Sequence, residues 1–222
     1  MTTSGLRAAS AFQLESKQNR HLLALEQFPS VAQVQFYTPG GSLDWTQNCA
    51  ASILNQLYVL SAASCFSGPN YPGPAHRRIR VGTNYGSMGG GQVVYVSIAM
   101  NYEGNNSSAA VVHDISVVRL TSRLVYSDLA RQASLLRQGS VVPIGVAIKQ
   151  LGWGGRYAVP LQIANLTTYR SSVDQPSNLI TAVSPWGSSA WANTDAGGPW
   201  IWEGVTVGWH MSRYVIVVLE EA

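Results

Sequence analysis

From Val31 onward the apolar residues fall in short runs, many alternating with polar residues, and turn-forming clusters separate them. A two-residue period puts alternate side chains on opposite faces of an extended chain. The pattern predicts strands at Val31–Phe36, Ala50–Leu54, Tyr58–Ser61, Ile79–Val81, Val93–Met100, Ile115–Leu120, Ile144–Gly152, Leu161–Tyr169, Pro199–Ile201, Val205–Trp209 and Tyr214–Leu219. Breaks come from Thr38–Gly41, Ser67–Pro74, Gly86–Gly91, Gly104–Ser108 and Gly139–Pro143. Many short strands at this spacing predict an all-β sandwich or barrel, and no strand–helix alternation of the parallel-sheet kind is present. The stretch Thr121–Gln138 is polar with scattered leucines and reads as a link between two halves. The first thirty residues form a polar lead with a helical pattern over Ala8–Leu25. No repeat of 20–50 residues recurs.

Composition narrows the class. Of 222 residues, 46% are hydrophobic and 11% charged, so the chain can bury a sizeable core and does not read as disordered. The net charge of +3 is too mild to indicate nucleic acid, and no basic stripe interleaved with aromatics occurs. Arginine outnumbers lysine twelve to two, a bias that suits an alkaline fluid and equally a lineage habit. No apolar run is long enough to span a membrane, and Met1–Asn19 carry no apolar segment of the signal-peptide kind. The two cysteines, Cys49 and Cys65, are compatible with free thiols, a redox pair, half a metal site or one disulfide.

Three stretches bear chemistry: Leu60-Ser61-Ala62-Ala63-Ser64-Cys65, His113-Asp114-Ile115-Ser116-Val117-Val118-Arg119-Leu120, and Thr194-Asp195-Ala196-Gly197-Gly198-Pro199. In order and spacing they resemble the segments that carry the catalytic triad of trypsin-like, chymotrypsin-fold serine proteases. Supporting context comes from Phe28–Val31, Cys49–Leu54, Arg78–Thr83 and Gly152-Trp153-Gly154, and Arg77–Tyr85 with Gly89-Gly90 resembles lepidopteran digestive trypsins. The resemblance implies a double antiparallel β-barrel with a shortened second barrel and no long C-terminal helix. It divides the chain into a lead of 1–27 and a trypsin-like domain of 28–222, with barrels at about 28–125 and 140–222.

Position by position, the resemblance places the general-base histidine on Ser64, the nucleophilic serine on Ala196 and the triad aspartate on Asp114. A triad needs a hydroxyl whose proton an adjacent imidazole can accept while the aspartate orients that imidazole. A methyl group cannot attack a carbonyl, and a serine hydroxyl is too weak a base near neutral pH. His113 adjoins Asp114, but strand alternation directs it to the opposite face. The oxyanion-hole glycine falls on Thr194, and the acidic floor of the Arg/Lys pocket falls on Ala190. Near that pocket cluster Trp186, Trp191, Trp200, Trp202 and Trp209, at least three of which read as second-barrel core. No Ile-Val-Gly-Gly activation sequence is present, so Asp195 is expected to lack a buried ammonium partner and, if buried, to need other hydrogen bonds or a raised pKa. The resemblance pairs Cys49 with Cys65 in a disulfide and implies a secreted protein. Asn105, Asn106 and Asn165 stand in glycosylation triplets. His76–Arg80 is a candidate anionic contact, with a solvated loop leading into a strand as the default reading. Neither metal spacing nor a cofactor motif is present.

Three functions follow as expectations. The first is an inactive protease homologue acting through a protein partner. The second is a structural protein that self-assembles through an unpaired C-terminal strand at Tyr214–Leu219. The third is an active protease, or one inactivated by engineering.

Overall fold

The computed structural model describes residues 25–40, 44–87, 89–102, 114–154, 159–169, 179–183, 195–210 and 216–217. Within these residues, twelve antiparallel strands form two bodies. β1 (Val31–Tyr37), β2 (Trp45–Ile53), β3 (Tyr58–Ser61), β4 (Arg77–Val81), β5 (Gln92–Asn101) and β6 (Ser116–Leu120) close into a barrel in the order β1-β2-β3-β6-β5-β4. β7 (Ala147–Gly152), β8 (Gln162–Tyr169), β9 (Leu179–Val183), β10 (Pro199–Trp202), β11 (Val205–Trp209) and β12 (Ile216–Val217) form a half-barrel sheet in the order β11-β10-β7-β8-β9-β12. Helix is almost absent from the described residues: one turn at 25–27 and the two 3-10 turns Ala63–Phe66 and Pro74–His76.

Alternation explains the strands. In β4, Arg77, Ile79 and Val81 are buried while Arg78 and Arg80 face outward. β1 is buried on both faces, because Ala32 and Val34 enter the barrel while the opposite face is covered. Its buried amides are satisfied: Gln33 Nε2 donates to the Tyr85 carbonyl and Gln35 Nε2 to Gln33 Oε1. Three apolar clusters result. One fills the barrel, and one lies under the half-barrel around Ile148, Leu166 and Trp200. The third joins the two bodies through Phe28, Val31, Ala50, Leu151 and Trp153, with Leu25 from the lead.

The sequence places most strands within a few residues, and Tyr58–Ser61 and Val205–Trp209 without change. β2 begins five residues early, at Trp45, because 45–47 pair with 35–37 across a register shift. β7 starts at Ala147 rather than Ile144. β9 has no counterpart in the sequence reading, and it corrects the expectation of an unpaired C-terminal strand: Ile216 pairs with Ile180 and Val217 with Leu179. The expected helix over Ala8–Leu25 lies almost wholly outside the described residues. The link after β6 runs without a strand and docks on both bodies, Arg131 N to the Pro29 carbonyl and Thr206 N to the Ser134 carbonyl.

Candidate functional site

The 3-10 turn Ala63–Phe66 follows β3 and presents Ser64 at the surface, while the buried Asp114 precedes β6, the strand paired with β3. Strand pairing therefore joins two segments fifty residues apart. The Ser64 amide donates to Asp114 Oδ1 at 2.6 Å and its hydroxyl to Oδ2 at 2.9 Å. Burial pushes the Asp114 carboxyl up, against the opposing pull of hydrogen bonds from Ser64 and the Ala63 amide. Trp209 Nε1 donates to the Asp114 carbonyl at 2.9 Å and fixes the backbone of that residue.

Ala196 is buried in the barrel cluster, to which Trp209 and Cys65 also belong. Its carbonyl accepts from the Ala50 amide at 2.9 Å and lies 3.7 Å from Cys65 Sγ. The turn that holds it is fixed by glycine. Gly197 has φ of +81°, and a Cβ there would stand 2.2 Å from Ser61 Oγ, 2.4 Å from the Ala50 carbonyl and 2.7 Å from the Ala62 nitrogen. Gly197 N donates to the His210 carbonyl and His210 N to the Gly198 carbonyl, both at 2.7 Å. The buried His210 imidazole is lowered to about 4 by desolvation.

The Asp195 side chain points toward the end of β7, at Gly152-Trp153-Gly154. Its carboxylate accepts from the Trp153 amide at 2.7 Å, from the Gly154 amide at 3.0 Å and from Gln47 Nε2 at 3.5 Å. It rests against Gly152, where a Cβ would come within 2.1 Å of the carboxyl carbon. Burial raises its pKa to about 6, opposed by those hydrogen bonds. Both alternatives expected of a buried Asp195 therefore occur together. The motif Gly152-Trp153-Gly154 was visible in the sequence. Its service to Asp195, and that of Gln47, was not, since those contacts cross more than forty residues.

Cys49 and Cys65 form the expected disulfide, with 16 residues of separation. Asn165 is exposed on β8, whereas Asn105, Asn106, His113, Ala190 and Thr194 lie outside the described residues, as do Trp186 and Trp191. Trp200 sits in the half-barrel core and Trp202 packs against it, but Trp209 belongs to the barrel cluster with Ala196. The default reading of His76–Arg80 as a solvated loop is corrected. Arg77 opens β4 and is 2% exposed, since its guanidinium stacks 3.5 Å from the Phe36 ring and donates to the Cys65, His76 and Asn70 carbonyls. Among the described residues no group of three His, Cys, Asp or Glu side chains is arranged to hold a metal, and no helix is long and apolar enough to cross a membrane.

The family model described as Trypsin matches residues 22–215. Trypsin delta of Drosophila erecta is 32% identical over 179 residues, which cover 73% of this chain and 67% of that protein. The lepidopteran trypsin CFT-1 of Choristoneura fumiferana is 27% identical over 221 residues, covering 90% and 83%. Among solved structures, human heparin binding protein superposes with a TM-score of 0.71 at 18% identity, covering 87% of each chain. A scabies mite inactivated protease paralogue gives 0.72 at 17%, covering 87% and 88%. At those identities the structures speak for the fold, and the two-body antiparallel architecture matches them. The family model, spanning nearly all of the chain, and the fly and moth relatives carry the assignment further: this chain belongs to the trypsin family.

Proposed function

We propose that this chain is a non-catalytic trypsin-family protein that acts by binding another protein. The observation that carries the reading is the Ser64–Asp114 pair. Where the family resemblance asks for an imidazole, a serine hydroxyl and amide occupy both carboxylate oxygens of Asp114. The pair contains no imidazole to take the proton of an attacking hydroxyl, and the serine hydroxyl that fills that place is too weak a base near neutral pH. At the nucleophile position Ala196 brings a methyl group packed into the barrel cluster, with no oxygen to acylate. Asp195, held by the Trp153 and Gly154 amides, agrees with a chain that has no use for activation by a new amino terminus. The Cys49–Cys65 disulfide fits synthesis in an oxidising compartment and hence a secreted protein. One of the structural neighbours is itself an inactivated protease paralogue.

The test is direct. The purified chain, incubated with a fluorophosphonate probe and with fluorogenic peptides covering basic, aromatic and small P1 residues, is expected to remain unlabelled and to show background turnover. Stoichiometric labelling, or turnover abolished by a serine-protease inhibitor, overturns the reading. A second reading, self-assembly through the C-terminal strand, draws on β12 lying at one end of the sheet order with β9 on its inner side. Light scattering at micromolar concentration decides it, a monomer counting against assembly.

A further inference from the structure

The outer wall of the barrel carries a feature that the triad region does not explain. β5 begins with Val94 and Val96 pointing inward and Tyr95 outward. Continued alternation would bury Ile98 and Met100 as well. A register shift between Val96 and Ile98 adds one residue, and the phase flips. After it Ala99 faces the core, while Ile98, Met100 and Tyr102 are exposed by 50%, 44% and 44%, in line with Tyr95 at 46%. Four large apolar or aromatic side chains, each about half exposed, thus follow one another along the outer face of β5, with Tyr95 edge-on to Trp45 at 5.7 Å. Single exposed apolar residues are ordinary, whereas a contiguous stripe marks an interaction site.

Charge borders the stripe on both sides. Arg78 of β4 lies directly across from Tyr95, and Arg119 of β6 directly across from Ile98. β4, β5 and β6 contain no aspartate or glutamate. Arg78 is already ordered: its Nε donates to Gln35 Oε1 at 2.8 Å, it bonds the Tyr95 side chain, and its guanidinium stacks 4.3 Å from the Trp45 ring. Such preorganisation lowers the entropy cost of capturing a ligand. The barrel is closed, so β5 has neighbours on both sides and offers no free backbone edge. A ligand here is read by side chains.

We infer that the outer face of β4–β5–β6 docks a protein segment in which carboxylates bracket apolar side chains. Its apolar residues cover Ile98, Met100 and Tyr102, and its carboxylates meet Arg78 and Arg119. A sulfated glycan would satisfy the arginines and leave Ile98 and Met100 in water, so the apolar stripe favours protein. This inference gives the proposed protein binding a place and a chemistry, and a catalytically active chain could carry the same face.

The experiment selects phage-displayed random 12-residue peptides on the immobilised full chain. Counter-selection uses the double variant Ile98→Ser/Met100→Ser and, separately, Arg119→Glu. Selected peptides and a heparin fragment are then titrated by fluorescence polarisation. The expected outcome is a consensus with acidic residues flanking at least two apolar ones. Its binding falls at least tenfold in each variant and weakens with salt. Failure to enrich over the double variant, a consensus without carboxylates, or heparin binding at this face without peptide binding overturns the inference. So does a dimer of the chain that the double variant dissolves. All three substituted side chains point outward, and melting temperatures verify folding; if the double variant does not fold, Arg119→Glu alone decides. Peptidase activity measured on the same preparations tests the non-catalytic reading separately, whatever the peptides do.

Discussion

The barrel and the half-barrel differ in how their strands are held. In the barrel each strand has two hydrogen-bonded neighbours, β1 closing the ring against both β2 and β4, and the disulfide ties β2 to the turn after β3. The half-barrel sheet ends at β11 and β12, which are not hydrogen-bonded neighbours, and its core leans on bulky Trp200. Closure spreads stability over every strand, whereas an open sheet depends on what covers it. The two bodies meet at the 195–198 turn, where each side is held through the other: Ala50 bonds Ala196, and Trp153 bonds Asp195. A fault at that seam should therefore damage both bodies, and a fault inside either should stay local.

The largest effect is expected at the seam. Gly197→Ala places a methyl against the backbone of Ala50 and Ala62 in a left-handed conformation, and those backbone atoms cannot step aside. A loss of more than about 4 kcal/mol is expected. Chemical denaturation should show one transition moving for both bodies, and a loss confined to one body would break the comparison.

Next comes the disulfide. Replacing Cys49 and Cys65 with alanine frees a loop with 16 residues of separation and should cost about 3 kcal/mol. Hydrogen exchange should then accelerate in β2 and β3 more than in β7 and β8.

Acidity probes the seam by a different route, through two opposed groups. Asp195, raised to about 6, contributes stability that is full below the ordinary carboxylate pKa and lost as pH rises through 6. His210, lowered to about 4, contributes stability present above the ordinary imidazole pKa and lost as pH falls through 4. Each displacement is worth about 3 kcal/mol, so the two nearly cancel between pH 4 and 6. The raised Asp114 adds to the side of Asp195. The melting temperature of the native chain should accordingly stay level or rise a little as pH falls across this window. Asp195→Asn should lose stability on acidification, and His210→Gln should gain it. A flat profile in both variants would remove these two groups from the account.

The smallest effect is expected at Ser64. Ser64→Ala removes one hydroxyl hydrogen bond from Asp114 and leaves the Ser64 and Ala63 amides in place. About 1 kcal/mol should be lost, with Asp114 titrating higher still. A cost near zero would mean that water replaces the hydroxyl at this exposed residue.

Much of this arrangement was legible in the residues themselves. Alternation located the barrel strands, and three ordered motifs pointed to the trypsin family and, through that resemblance, to the Cys49–Cys65 bridge. These signals are local, since side-chain period and motif spacing are written along the chain. Long-range geometry decided the rest. Asp195 found its donors in Gly154, Trp153 and Gln47 only because the seam brings β2 and β7 to the same turn. Arg77 became a buried core contact because β4 pairs with Phe36 on β1, which no count of charges in His76–Arg80 reveals. β9 escaped notice, and with it the pairing of β12. Ile98 and Met100, which simple alternation directs into the barrel, face water because one extra residue in β5 shifts the register against β6. A bulge depends on how two strands fit each other, so pairing in three dimensions, rather than the pattern of either strand, determines which way those side chains point.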